Sequence, residues 1–150
     1  MDTSFTLPDA DGVEFVSGEH LPLILYFYPK DSTSGCTREA QEFTELAADF
    51  ESLGWTVAGV SRDSQKSHQN FICRYGLGVR LLSDSGETVC NQFGVLGEKN
   101  MYGRKVIGLI RSTFAIGRDG RILKEWRKVK AAGHAAQVLE WCREQAAPIL

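Results

Sequence analysis

The chain has 150 residues, of which 43% are hydrophobic and 24% charged, with a formal net charge of -2. This size favours a single domain able to bury a core, and so slight an acidic balance gives no support for a nucleic-acid or membrane-surface partner. No apolar run approaches the ~18 residues of a membrane span, and the acidic opening "MDTSFTLPDADG" does not read as a signal peptide.

In chain order, "SFTLPDADGVEFV" predicts a short hairpin with a Pro-Asp-Ala-Asp-Gly turn. "LPLILYFYP" is continuously apolar, as expected of a strand covered on both faces. "TREAQEFTELAADFESLG" sets Ala40, Phe43, Leu46, Ala47 and Phe50 at helical spacing and predicts one helix stopped by Gly54. "WTVAGVSRD" is a second buried strand, and a helix from about Ser64 to Tyr75 follows, with Gly76 as its stop. "VRLLSD" predicts a short strand and "SGETVCNQFGV" a short helix. The polar, glycine-containing "LGEKNMYGRKVIGL" reads as a loop or excursion. "IRSTFAIGRDGRILKEWRKV" reads as two strands about a "GRDG" turn, and "HAAQVLEWCREQAA" as a closing amphipathic helix.

Strands alternating with helices predict an α/β domain over the whole chain, 1–150, with a central mixed β-sheet flanked by helices. A β-hairpin, two βα units and a terminal ββα describe a thioredoxin-like layout with an N-terminal hairpin addition. The four cysteines, Cys36, Cys73, Cys90 and Cys142, form no CxxC or zinc-ligand pair. Without an export signal, reduced thiols in a cytoplasmic setting are expected.

Cys36 has an unusual position. Pro29 ends the buried strand by removing a ladder donor, and Thr33 and Ser34 are both suited to cap a helix. Glu39 is placed in the first helical turn, where the dipole favours a carboxylate. Cys36 then sits at or near a helix start, where unpaired N–H groups and the positive end of the dipole favour thiolate over thiol. Gly35 permits close approach to the backbone. A free cysteine is also commonly a small buried hydrophobe, and the local pattern leaves both readings open.

Pro29, Thr33 and Cys36 fit Pro-x-x-x-Thr-x-x-Cys, and the wider string "YFYPKDSTSGCTREAQEF" resembles the peroxiredoxins of the bacterioferritin-comigratory, or Q-type, subfamily. "GVSRDSQKSHQNF", "LLSD", "EKNMYG", "RSTF" and "WRKVKAAGHA" resemble it too, in order. The resemblance implies a thiol peroxidase reducing hydrogen peroxide and organic hydroperoxides without metal, haem or flavin. It makes Cys36 the peroxidatic cysteine, oxidised to a sulfenic acid, and Thr33 the residue whose hydroxyl bonds the thiolate and the peroxide. Pro29 would shield the pocket, and Arg111 would hold the thiolate and orient peroxide. Glu39 resembles a residue that supports these groups. Without the resemblance, Arg111 reads as an ordinary surface arginine at a strand start. The physics agrees with these roles, because O–O cleavage needs donors aimed at the charge developing on the leaving oxygen.

A sulfenic acid must be resolved or it over-oxidises. Many subfamily members carry a resolving cysteine five residues on, where this chain has Gln41. Others place it in the following helix, at a position that aligns with Ile72. Here the cysteine is Cys73, one residue later and about 100° round a helix. Three routes stay open: a 36–73 disulfide recycled by thioredoxin or a similar dithiol, resolution by an external thiol, or service by Cys90 or Cys142. The subfamily implies a monomer or weak dimer. A non-catalytic thioredoxin-fold binding module or holdase is the rival from another class, opposed by the intact Thr33, Cys36 and Arg111. A disulfide oxidoreductase would need a CxxC that "SGCT" lacks.

The remaining polar groups have plainer readings. Cys90 and Cys142 read as core cysteines, and His68 and His134 as surface or capping residues at helix starts. His20 reads as a loop residue, and Met101 and Tyr102 as loop-packing residues. "RKVK" at 127–130 reads as a solvated strand edge.

Overall fold

The computed structural model describes residues 2–146. A hairpin of β1 (Thr6–Pro8) and β2 (Glu14–Val16) leads into β3 (Leu23–Phe27). Then come α1 (Ser34–Glu45), α2 (Ala47–Ser52), β4 (Thr56–Ser61), α3 (Gln65–Tyr75), β5 (Arg80–Ser83) and α4 (Thr88–Gln92). The chain continues through β6 (Leu96–Met101), β7 (Arg104–Leu109), β8 (Ser112–Ile116), β9 (Ile122–Arg127) and α5 (His134–Ala146). The predicted last helix runs one residue further, to Ala147, which lies outside the described residues.

The apolar run "LILYF" is β3, the middle strand of a five-stranded sheet ordered β5-β4-β3-β8-β9. It is parallel to β4 and antiparallel to β8, so the sheet is mixed as expected. Alternation along the strand explains its unbroken apolar character. Ile24 and Tyr26, with Tyr28 just beyond, enter one cluster with Ala40, Phe43, Phe50, Phe71 and Val138 from the helices. Leu23, Leu25 and Phe27 enter a second cluster on the other face, with Leu7, Phe15 and Val89 from the hairpin and α4. Truncating a ring such as Phe43, fully buried between α1 and the sheet, would cost about 3–5 kcal/mol.

Two elements differ from expectation. The helix predicted across 37–54 is two helices, broken at Leu46 with φ -96° and ψ 3°. The Thr44 hydroxyl donates back to the Ala40 carbonyl at 2.7 Å and accepts the Gly78 N–H at 3.1 Å. A hydroxyl bonded to its own preceding turn bends a helix, and here a neighbouring loop draws on the same oxygen. The segment read as a loop, 96–109, is a β-hairpin outside the main sheet, turning at Tyr102 and Gly103 with φ of 53° and 79°. Positive φ at both central residues is the twist-matching hairpin turn. Tyr102 is fully exposed at the tip rather than packed, and the Met101 side chain lies outside the described residues.

Other boundaries fall where the residues place them. Ser64 caps α3 by accepting the Ser67 N–H at 3.1 Å, and Gly76 ends it at φ 61°. The edge strand β9 is exposed except at half-buried Ile122 and buried Trp126, and carries Lys124 and Arg127. No helix among the described residues is long and apolar enough to cross a membrane.

Candidate active site

Sheet register assembles the site. β3 and β8 run antiparallel with Phe27 opposite Ser112. The end of one strand therefore meets the start of the other, and Arg111 stands beside the turn that leads from Tyr28 into α1. The Tyr28 N–H still donates to Val60 at 3.0 Å. Pro29, half-buried, has no N–H to extend the ladder. The chain then leaves the sheet over Lys30, Asp31 and Ser32. Ser32 takes a left-handed φ of 64°, which costs a non-glycine residue on the order of 1 kcal/mol.

Thr33 is the N-cap of α1 in extended conformation, but its side chain does not cap. Its hydroxyl donates to the Lys30 carbonyl at 2.9 Å instead. The proton expected on the thiolate is thus spent within the turn, and the oxygen remains as an acceptor. Ser34, Gly35 and Cys36 form the first helical turn, whose N–H groups have no helical acceptor.

Cys36 is 1% exposed. Arg111 Nη2 donates to its sulfur at 3.2 Å, and Arg111 Nη1 donates to Glu39 Oε1 at 2.5 Å. One guanidinium therefore holds the sulfur and the carboxylate of residues three apart on α1. Gly35 makes room for it: a Cβ there would lie 3.1 Å from Arg111 Nη2. The close approach that Gly35 permits is made by an arginine of the same chain.

Glu39 lies in the second turn of α1, not the first, because the helix begins at Ser34; it is fully buried. Burial pushes its carboxyl up to about 7, with Arg111 pulling the other way. Its Oε2 has no hydrogen-bond partner among the described residues. Burial opposes the charge on Arg111, but Glu39 and Cys36 beside it outweigh that and raise its pKa. Lys99 on β6 is half-buried; burial, then Arg111 and Arg62, lower its pKa while Cys36 pulls it up. Lys99, on the "EKNMYG" hairpin, is thus within electrostatic reach of Arg111 and Cys36, and the sequence did not single it out.

The other cysteines are placed differently. Cys73 is exposed on the last turn of α3, while Ile72 packs against the helix-side core. Cys90 and Cys142 are buried, as expected of core cysteines. Burial, reinforced by Asp84, pushes the Cys90 thiol far up, and burial pushes Cys142 up to about 12. All four are free thiols. Among the described residues no group of three or more His, Cys, Asp or Glu side chains could hold a metal ion.

The histidines at the helix starts are not surface groups. His68 is 0% and His134 2% exposed. His134 Nε2 pairs with the Thr113 hydroxyl at 2.7 Å, and burial lowers its pKa. Polar helix-start positions carry no periodic sign of burial, so the sequence offered no signal for either. His20 is a loop residue stacked on Phe15.

The AhpC/TSA family model matches residues 3–125. Peroxiredoxin Bcp of Xanthomonas campestris is 51% identical over 117 residues, 78% of this chain and 73% of that protein. Peroxiredoxin Bcp of Bacillus subtilis is 41% identical over 122 residues, 81% of this chain and 78% of that protein. A solved structure of the Xanthomonas campestris bacterioferritin comigratory protein, from work on its alkyl peroxide reduction, superposes with a TM-score of 0.89 at 44% identity. That match covers 95% of this chain and 92% of the other. The chain belongs to the AhpC/TSA family and, within it, to the peroxiredoxins of the bacterioferritin comigratory type, thiol-dependent peroxidases of thioredoxin-like fold.

Proposed function

We propose that Cys36 is the cysteine that attacks peroxide. Its thiolate attacks the terminal, hydroxyl-bearing oxygen of ROOH, forming the S–O bond of Cys36–SOH and breaking O–O; the alkoxide is displaced and takes a proton to become ROH. The observation that carries this reading is the contact of Arg111 Nη2 with Cys36 Sγ at 3.2 Å. A charge-assisted donor on sulfur strengthens as the sulfur becomes anionic. The fixed fork of Arg111 also presents donors for charge arriving on the leaving oxygen. Thr33, with its hydroxyl donating to Lys30, accepts the peroxide O–H, and Pro29 limits water at the pocket. Glu39 holds the other arm of Arg111.

Resolution falls to Cys73. Its thiol attacks Cys36–SOH, releasing water and closing a 36–73 disulfide, which a dithiol of the thioredoxin class reduces by exchange. Cys36 is buried and Cys73 faces solvent, so the first turn of α1 must open. Opening one helix start costs far less than global unfolding. The exposure of Cys73 supports a second reading as well, resolution of Cys36 by an external thiol, because Ile72 and not Cys73 holds the inward position. The enzyme works in the cytoplasm as a monomer or weak dimer.

Non-reducing mass spectrometry after one equivalent of peroxide tests the cycle. A 36–73 crosslink is expected. A stable sulfenic or sulfinic acid at Cys36 with Cys73 still free overturns the two-cysteine route and leaves the external thiol.

A further inference from the structure

The turn that leads into Thr33 and Cys36 is tied down by a buried polar cluster that the peroxidase chemistry does not use. Asp31, in the turn between β3 and α1, is 6% exposed. Three donors converge on its carboxylate. The Tyr28 hydroxyl donates to Oδ1 at 2.6 Å, and the Ser67 hydroxyl donates to Oδ2 at 2.8 Å. His68 Nδ1 pairs with the same Oδ2 at 2.7 Å. His68 Nε2 faces the Leu82 carbonyl at 2.9 Å, so each ring nitrogen meets an oxygen partner. The Asp31 N–H donates in turn to Asp63 Oδ2 at 2.9 Å, which also accepts the Ser61 hydroxyl at 2.6 Å.

The connectivity matters more than the count of bonds. Ser67 and His68 belong to α3, the helix whose last turn carries Cys73. Asp31 immediately precedes Ser32, whose left-handed backbone at φ 64° is held two residues ahead of α1. Strained backbone persists where its surroundings over-determine it. The Asp31 carboxylate anchors the residue next to that strain, and two of its three partners, Ser67 and His68, sit on the helix that carries the other thiol. The two segments that must separate and re-meet in a 36–73 disulfide are thus bolted together at Asp31 and His68.

We propose that Asp31 and His68 are positioning residues that latch the turn before Cys36 onto α3, so that their strength sets how the enzyme divides its time between peroxide attack and opening for resolution. The latched turn holds Cys36 under Arg111. The released turn exposes Cys36–SOH. Weakening the latch therefore moves the two steps in opposite directions, which a merely structural residue would not do. The inference rests on the reading of Cys36 and Cys73 given above.

The test uses His68→Gln and Ser67→Ala in the full chain. In the reduced protein, His68→Gln is expected to raise amide hydrogen exchange across residues 29–38 about tenfold, the effect of one lost buried hydrogen bond, with β3 and β8 unchanged. Rapid-quench mass spectrometry at substoichiometric peroxide should then show slower oxidation of Cys36 and faster loss of its sulfenic acid to disulfide. Sulfinic acid should also need more peroxide to form. Exchange that is unchanged at 29–38, or that rises equally in β3 and β8, overturns the latch, as do two rates that fall together. If His68→Gln does not fold, Ser67→Ala, which removes one donor from a half-buried position, must give the same shifts at smaller size; no shift overturns the proposal. Should wild-type protein form no 36–73 disulfide, the Cys73 reading fails alone, and the latch is judged on exchange and on alkylation of reduced Cys36, which must quicken in His68→Gln.

Discussion

Two helix starts in this protein carry a cysteine at the same place. Cys36 is the third residue of α1 and Cys90 the third residue of α4; each helix follows a strand of the main sheet, and both thiols are buried. They differ in what meets the exposed N–H groups. At α4, the Asp84 carboxylate accepts the Val89 N–H at 3.2 Å and the Cys90 N–H at 2.7 Å. The field of the helix end is satisfied by that carboxylate, and the negative charge, added to burial, pushes the thiol far up. At α1, the Thr33 side chain caps nothing, and the neighbour of the sulfur is a guanidinium. A helix start does not by itself make a reactive cysteine. The occupant of its donors and the sign of the nearest charge decide.

The comparison breaks or holds on replacing the two thiols. Cys36→Ser is expected to abolish peroxide consumption in a coupled assay, while Cys90→Ser keeps it and alters only thermal stability. Activity that survives loss of Cys36 would move the chemistry to another thiol.

Removing the charge that separates the two sites comes next. Arg111→Gln should slow oxidation of Cys36 about 100-fold, the usual scale for one aligned donor. Arg111→Lys should recover part of that, since it restores the charge without the fork. Stopped-flow measurement of the first step distinguishes them, and equal losses in both variants would mean that geometry alone matters.

Glu39 sharpens the α1 side through pH. Its folded carboxyl is raised to about 7 from an ordinary 4.5, so the folded state keeps a proton that the unfolded state has lost. The contribution of this group to stability is present in full below pH 4.5 and is lost as pH rises through 7. Urea denaturation across that window should show wild-type stability falling relative to Glu39→Gln by up to about 1.4 kcal/mol per pH unit. A difference that stays flat with pH would show that the carboxylate remains ionised against Arg111 throughout.

The smallest effect is expected at α4. Asp84→Asn weakens the charged cap of a short helix and should cost about 1 kcal/mol of stability, seen as a lowered Tm. Cys90 should gain no peroxidase activity, because among the described residues no guanidinium donates to its sulfur as Arg111 does to Cys36.

Much of the molecule was legible in the residues. The unbroken "LILYF" demanded a strand covered on both faces, and Ser64 and Gly76 marked both ends of α3. Pro29 with the Thr33–Ser34 pair placed Cys36 at a helix start, as found. The β6–β7 hairpin was missed because Gly97, Asn100 and Gly108 dilute its alternation, and its turn uses Tyr102 where Asn or Asp would have signalled one. The break at Leu46 was missed because the apolar spacing runs straight through it; the bend comes from the bond of Thr44 to its own helix and to Gly78.

By itself, then, the sequence determined where most of the strands and helices lie, which thiol opens α1, and, through its resemblance, that Arg111 belongs with it. These are local properties: periodicity, breakers, caps and motif spacing act over a few residues. Only the tertiary structure decided how one guanidinium reaches both Cys36 and Glu39, since a register between strands 85 positions apart in pairing Phe27 with Ser112 is set by sheet assembly. It alone turned His68 from a helix-start polar residue into a buried partner of Asp31, and Asp84 into the cap that quiets Cys90. Burial and charge depend on what the rest of the chain brings to a position, and no window of neighbouring residues contains that information.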